Sequence, residues 1–189
     1  MDVVCVEASA QGKKLCQGFS LVELLVVVAL LGIVMSLAVP ALSEMVLRNR
    51  FTLAVNAMAG TLSFSRSEAI THNESVVICK GTAETGCQNA RKWQQGWLVF
   101  LDKNDNRVWD AGEVLLGTHA ALPAEFSLDW KAFPSSNFVI FYPNGTASSN
   151  GSFVFCDLSK KIPAKALILS KPGRIRNSDK TAEGGELAC

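Results

Sequence analysis

From Leu24 to Ala41 the chain carries no charged residue. The run reads Leu-Leu-Val-Val-Val-Ala-Leu-Leu-Gly-Ile-Val-Met-Ser-Leu-Ala-Val-Pro-Ala. A helix from Phe19 to Leu42 would be about 36 Å long at about 1.5 Å per residue. That exceeds the roughly 30 Å hydrocarbon core of a bilayer. Glu23 sits one turn inside the N-terminal end of this segment, where an ionised carboxylate requires a buried cation. Ahead of it lies the polar stretch Gly12-Lys13-Lys14-Leu15-Cys16-Gln17-Gly18. A secretory signal peptide has a short apolar core followed by a small-residue cleavage site. Here the run is too long and the Gly18-Phe19 junction precedes it, and a plain membrane anchor has no need of Glu23.

The sequence Gly18-Phe19-Ser20-Leu21-Val22-Glu23, followed by a membrane-length run, resembles the type IV prepilin signature. The resemblance implies that residues 1–18 are a leader removed by a prepilin peptidase. Cleavage would fall after Gly18, with methylation of the new amino terminus at Phe19. It also implies that Glu23 pairs with the N-terminal amine of a neighbouring pilin during assembly. Residues 19–42 would then be the transmembrane and pilus-core helix. Two lysines precede the span, which favours a leader inside the cell and a head outside it. The expected location is the inner membrane with a periplasmic head, then the pilus surface.

The net charge is +1 over 189 residues, so global charge does not argue for a nucleic-acid partner. Of six cysteines, Cys5 and Cys16 fall in the leader. Cys79, Cys87, Cys156 and Cys189 lie beyond the span, in what would be an oxidising compartment. Four cysteines allow three connectivities. The favoured pairing is Cys79 with Cys87, closing a short Gly/Thr-rich loop, and Cys156 with Cys189, pinning the C-terminus. Zinc is the alternative, but there is no C-x-x-C spacing, and both histidines are distant in sequence.

Beyond the span, Leu47, Phe51, Ala54, Val55, Met58, Leu62 and Ala69 recur at intervals of mainly three and four, which predicts an amphipathic helix over 43–70. Pro40 is expected to kink or loosen the helix locally. From Glu74 the period changes. Val76–Cys79, Trp97–Leu101, Phe126–Leu128, Phe138–Phe141, Phe153–Phe155 and Ala166–Leu169 read as short strands between Gly, Pro, Asn and Ser turns. The expected class is α+β: one long helix packed against an antiparallel, sandwich-like head over 71–189.

Ser65-Arg66-Ser67-Glu68-Ala69, Gly96-Trp97-Leu98-Val99-Phe100, Asp102-Lys103-Asn104-Asp105-Asn106 and Gly173-Arg174-Ile175-Arg176 resemble, in that order, the FimT/GspH group of minor pilins and pseudopilins. In the FimT group a C-terminal Gly-Arg-x-Arg is associated with DNA binding in natural transformation. From Lys160 to Lys180, seven basic residues face Asp179 alone, a local charge of +6. Arg174 and Arg176 flank Ile175, so in an extended strand both point to one face, and two guanidinium forks suit adjacent phosphates. The expected DNA ligands are Arg174 and Arg176, with Lys171, Lys165, Lys160 and Lys161 as auxiliaries and Gly173 allowing close backbone approach.

No enzyme site and no cofactor motif is visible, and His72 and His119 read as surface or turn residues. Asp102 to Glu113 places oxygen side chains at positions one, three, five, nine and twelve of an EF-hand-like loop. Arg107 stands at position six, where the sharp turn wants glycine, and the flanks look like strands. The alternative is a hairpin turn in which Asp and Asn side chains bond nearby backbone. The functional expectation is a minor pilin whose head binds double-stranded DNA without sequence preference for uptake. Its rivals are a structural minor pilin that primes assembly and a GspH-like pseudopilin of a type II secretion system.

Overall fold

The computed structural model of the protein describes residues 5–7, 14–16, 20–110, 112–133 and 135–189. Gly18 and Phe19 therefore lie outside the described residues. The chain divides into two compact units, Met1–Leu47 and Arg48–Cys189.

In the first unit, β1 (Cys5–Glu7) and β2 (Lys14–Cys16) pair antiparallel, with Cys5 opposite Cys16. Helix α1 (Leu21–His72) begins in this unit and continues through position 40. Its first turn is joined to Ser20, whose carbonyl accepts from the Leu24 N–H at 3.1 Å. Leu21, Leu24, Leu25, Leu30, Leu31 and Ile33 are all more than half exposed. This part of α1 is long and apolar enough to cross a membrane.

The second unit is built on the remainder of α1. Phe51, Ala54, Val55, Met58, Leu62 and Ala69 are buried, and Ser65 with them, its hydroxyl donating to the Thr61 carbonyl at 2.8 Å. The apolar stripe is the spine of the core, and the helix ends at His72, two residues later than the periodicity suggests. Asn73 follows in the left-handed conformation, φ 53°, the usual way for an asparagine to terminate a helix.

Among the described residues, nine strands complete this unit. They are β3 (Ser75–Thr82), β4 (Gly86–Cys87), β5 (Trp97–Asp102), β6 (Leu115–His119), β7 (Phe126–Ala132), β8 (Phe138–Phe141), β9 (Gly151–Asp157), β10 (Lys165–Leu169) and β11 (Ile175–Ser178). One sheet runs β11-β10-β9-β7. The other runs β4-β3-β5-β6, with β8 also on β3. Every pairing is antiparallel. The α+β class and the two-sheet head thus match the expectation. Strands β4 and β6 escape it, because Gly86-Cys87 is too short for a pattern and Gly117-Thr118-His119 dilutes the apolar run of β6.

Both sheets send alternate residues towards α1. Trp97 donates its indole N–H to the Thr61 hydroxyl at 3.2 Å, and Phe126 meets Phe51 edge-on at 5.2 Å. In the first sheet that inner parity carries Phe126, Leu128, Trp130, Phe153, Phe155, Leu167 and Leu169, all buried. The outer parity carries Ser127, Asp129, Lys131, Ser152, Ile168 and Arg176. The opposite face of the second sheet holds a smaller core of Val77, Cys79, Leu98, Phe100 and Ile140.

Disulfides join Cys79 to Cys87 and Cys156 to Cys189. Cys156 belongs to the outer parity of β9, so the C-terminal tail is tied across the outside of that sheet.

The β9–β10 loop is organised by Asp157, which is buried. Its carboxylate accepts from the Ser159 hydroxyl and from the N–H groups of Ser159, Lys161 and Ile162. Burial pushes this carboxyl up, but those donors outweigh it and hold it below the ordinary aspartate value. Asp157→Ala is expected to cost about 2–3 kcal/mol at neutral pH through loss of charge-assisted bonds. The stabilisation is present above the unfolded carboxyl value of about 3.9 and is lost as pH falls through the lower folded value. Urea midpoints of wild type and variant should therefore stand apart at neutral pH and converge below about pH 3.9.

Candidate nucleic-acid interface

The β10–β11 hairpin presents the basic motif. Its turn closes through the Gly173 N–H to the Ser170 carbonyl at 2.7 Å and the Ser170 N–H to the Arg174 carbonyl at 3.0 Å. Arg174 precedes β11 and Arg176 lies within it, and both are exposed. β11 is the free edge of its sheet. Arg174 and Arg176 share one face, with Ile175 between them turned inward and half-buried. Together with Ile168 and Ser170 they line a hollow of about 250 Å³. Among the described residues neither guanidinium is in an ion pair. The hollow offers two unpaired forks to an anion, and guanidinium forks match the oxygens of a phosphate or a carboxylate bidentately.

The hairpin turn is held by α1. Arg66 donates from Nε to the Gly145 carbonyl at 2.9 Å and from Nη2 to the Pro172 carbonyl at 3.3 Å. The Ala147 N–H bonds the Lys171 carbonyl at 2.8 Å, and the Lys171 N–H bonds Asn150 Oδ1 at 2.5 Å. Arg66 thus joins the Tyr142–Gly145 turn and the Ser170–Arg174 turn to the helix. Its separations of 79 and 106 residues from these partners put this role beyond the reach of a local sequence reading.

Gly173 has a different role from the one its sequence suggests. It is buried, at φ 80°. A Cβ there would stand 2.2 Å from the Gly145 carbonyl oxygen and 2.7 Å from Arg66 Nε. The close backbone approach is to Gly145 inside the protein, so Gly173 is not available to a ligand.

The seven basic residues of the 160–180 segment do not form one cluster. Lys171, Arg174 and Arg176 gather at the hairpin end. Lys160 and Lys161 lie in the loop organised by Asp157 at the opposite end of β10, about 13 Å or more away along the strand. Lys165 begins β10 at that far end and is paired with Asp179. An antiparallel hairpin brings the ends of a segment together and separates its middle from them, so proximity in sequence overstated the patch.

Asp102 is buried and accepts the N–H groups of Asn106 at 3.1 Å and Arg107 at 3.0 Å. Asp110 Oδ2 accepts from the side-chain amides of Asn104 and Asn106, and Glu113 accepts the N–H groups of Lys103 and Asp110. These oxygens accept N–H donors from within the loop, the pattern that the hairpin-turn alternative expects. Among the described residues there is no group of three or more His, Cys, Asp or Glu side chains arranged for a metal. His72 contacts Glu68 one turn back at 3.1 Å. His119 is a strand residue, stacked on Trp97 with ring centroids 4.0 Å apart, rather than a plain surface or turn residue. Lys80 is buried, and burial lowers its pKa; its ammonium donates to the Asn89 carbonyl and Asn137 Oδ1.

Known proteins share this plan. Residues 54–173 match the family of the type II transport protein GspH, and residues 13–39 match the prokaryotic N-terminal methylation motif. Over 105 residues the chain is 36% identical to the pilin-like protein PilA1 of Thermus thermophilus, a match spanning 54% of this chain and 59% of that relative. Its fold is similar to that of the type IV minor pilin FimU of Pseudomonas aeruginosa (strain PAO1), with a TM-score of 0.51 at 20% identity over 69% of this chain and 90% of that one. It is similar also to the minor pseudopilin EpsH of the Vibrio cholerae type 2 secretion system, with a TM-score of 0.50 at 8% identity over 67% and 94%. The GspH match runs from the buried face of α1 to Gly173, so Arg174 and Arg176 lie just beyond it. With a methylation motif at one end and the GspH head behind it, the chain belongs to the type II transport protein GspH family and is a type IV pilin-like protein.

Proposed function

We propose that this pilin-like chain is a minor pilin whose head binds DNA through its phosphate backbone. The observation that carries this reading is the pair of exposed, unpaired guanidiniums of Arg174 and Arg176, side by side on the free edge of a sheet. Lys171 stands beside them on the same turn. Lys160, Lys161 and Lys165 act at most as a remote field, since Lys165 is neutralised by Asp179. Binding through phosphates positions the protein without reading sequence.

The supporting chemistry is tested on the full-length chain in detergent. Replacing Arg174 and Arg176 together by Gln removes two charges and keeps side-chain length. Affinity for duplexes of unrelated sequence is expected to fall alike, and the slope of log affinity against log salt to flatten by about 1.8 for two lost contacts. Undiminished affinity at matched salt would leave the structural or secretion-system role, which the family description favours, as the better reading.

The same proposal places the processing junction at Gly18-Phe19, makes residues 19–42 the membrane and filament segment, and gives Glu23 the N-terminal amine of a neighbouring subunit as its partner. The head would then stand on the periplasmic side of the inner membrane before assembly. Mass analysis of the exported protein should give a chain that begins at a methylated Phe19; an intact leader would refute this.

A further inference from the structure

The arginine hollow is one end of a longer depression. Ile168 and Ser170 line both the hollow and a cavity of about 590 Å³ on the outer face of the same sheet. The register explains the layout. Lys131, Ser152, Ile168 and Arg176 form one row across β7, β9, β10 and β11. The last paired row is Ala132, Gly151, Leu169 and Ile175. One residue further, back on the outer parity, the next row is Phe133, Asn150, Ser170 and Arg174. Three strand spacings of about 4.8 Å put the β7 edge about 14 Å from the arginines.

The far edge carries the feature that composition does not explain. Phe133 is 87% exposed and lines the cavity. Along β7 the odd positions Ser127, Asp129 and Lys131 are the polar, outward ones, so an aromatic at 133 breaks the alternation on the solvent side. The tail forms a wall behind it: Lys131 Nζ donates to the Ala188 carbonyl at 3.1 Å, and Cys189 is tied to Cys156. Glu183 is the acid of this cavity and lies on the tail. Lys131 and Glu183 offset one another at this edge, so the net positive charge is concentrated at the arginine edge, while the exposed phenyl offers its face to a flat, uncharged ring.

We infer that the trough takes a single-stranded segment of DNA, with consecutive phosphates on Arg174 and Arg176 and a base stacked on Phe133. This deepens the DNA reading of the same arginine pair and rests on it. Cationic edges that track a backbone, combined with aromatic faces for bases, are the means by which single strands are held without sequence preference. A duplex turns its bases onto one another and offers Phe133 no free face, so a blunt duplex uses the arginines alone. Frayed or nicked ends would engage the whole trough. The cavity volume lies within the range of small-ligand sites, enough for a nucleotide unit.

The test uses the full-length chain in detergent with two probes, a thymidine oligomer of about 12 nucleotides, within the span of known single-strand sites, and a blunt duplex. Phe133→Ala should weaken oligomer binding by between about 5-fold and about 100-fold, as loss of one stacked base does. It should leave the salt slope and the duplex affinity unchanged, and Phe133→Trp should keep oligomer affinity. Because Phe133 is exposed, the melting temperature should hold. If Phe133→Ala binds the oligomer as wild type does while the double arginine variant loses it, the trough is wrong and the phosphate site stands. If neither probe binds the wild-type chain, both proposals fall together.

Discussion

Gly173→Ala will destabilise the protein by about 3–5 kcal/mol without removing a single charge and, on the function proposed above, will weaken binding to DNA as well. The left-handed backbone at φ 80° costs an L-residue about 1–2 kcal/mol. A Cβ 2.2 Å from the Gly145 carbonyl oxygen cannot be accommodated in place, so the turn must lift. Lifting it stretches the bonds from Arg66 to Gly145 and Pro172, each worth about 1.5–3 kcal/mol when intact because the donor is charged. Gly184→Ala is the control, since Gly184 has a similar φ of 89° but nothing within 4 Å of its Cβ position. It should cost only the backbone contribution of about 1–2 kcal/mol. Urea unfolding of both variants measures the difference. Equal losses would mean that the contact with Gly145 and Arg66 does not restrain the turn.

The second large effect is expected from Cys156→Ser combined with Cys189→Ser. The bridge spans 33 residues of sequence, against 8 for Cys79–Cys87. On the loop-entropy account its removal costs about 3–4 kcal/mol. The longer bridge should be worth about 1.2 kcal/mol more than the shorter one. The loss should appear as a lower urea midpoint under non-reducing conditions, and reducing agent should bring wild type down to the level of a variant lacking both bridges. A Cys156/Cys189 variant as stable as wild type would show that the tail contributes nothing to the fold.

Much of the architecture is written at short range. The stripe from Phe51 to Ala69 has the helical period because a single face of α1 meets the sheets. The runs around Val77, Phe100 and Phe153 are apolar because those strands are covered on both faces or nearly so. What escaped was set by pairing at long range. Lys160 and Arg174 are 14 positions apart, yet a strand separates them, whereas Arg66 and Pro172 are bonded across 106. The oxygen spacing from Asp102 to Glu113 counts positions but not the direction of lone pairs, and the backbone N–H groups of the turn claim them. Gly173 shows the same limit in miniature: the sequence marks a place where a side chain is forbidden, without saying which neighbour forbids it. Phe133 had a signal that could have been used, since it breaks the alternation of β7 on the polar parity.

A pull applied at Arg174 has a short route into the rest of the molecule. The edge strand could peel from β10 by parting its ladder one bond at a time, the weakest way to load a sheet. Arg66 intercepts that force, because its two bonds grip the turn at Pro172 and its neighbour at Gly145 and pass the load to α1. Within the head the load is then borne by the backbone hydrogen bonds of the part of α1 that belongs to this unit. A cargo dragged by this hairpin would therefore tow the helix directly and spare the sheet.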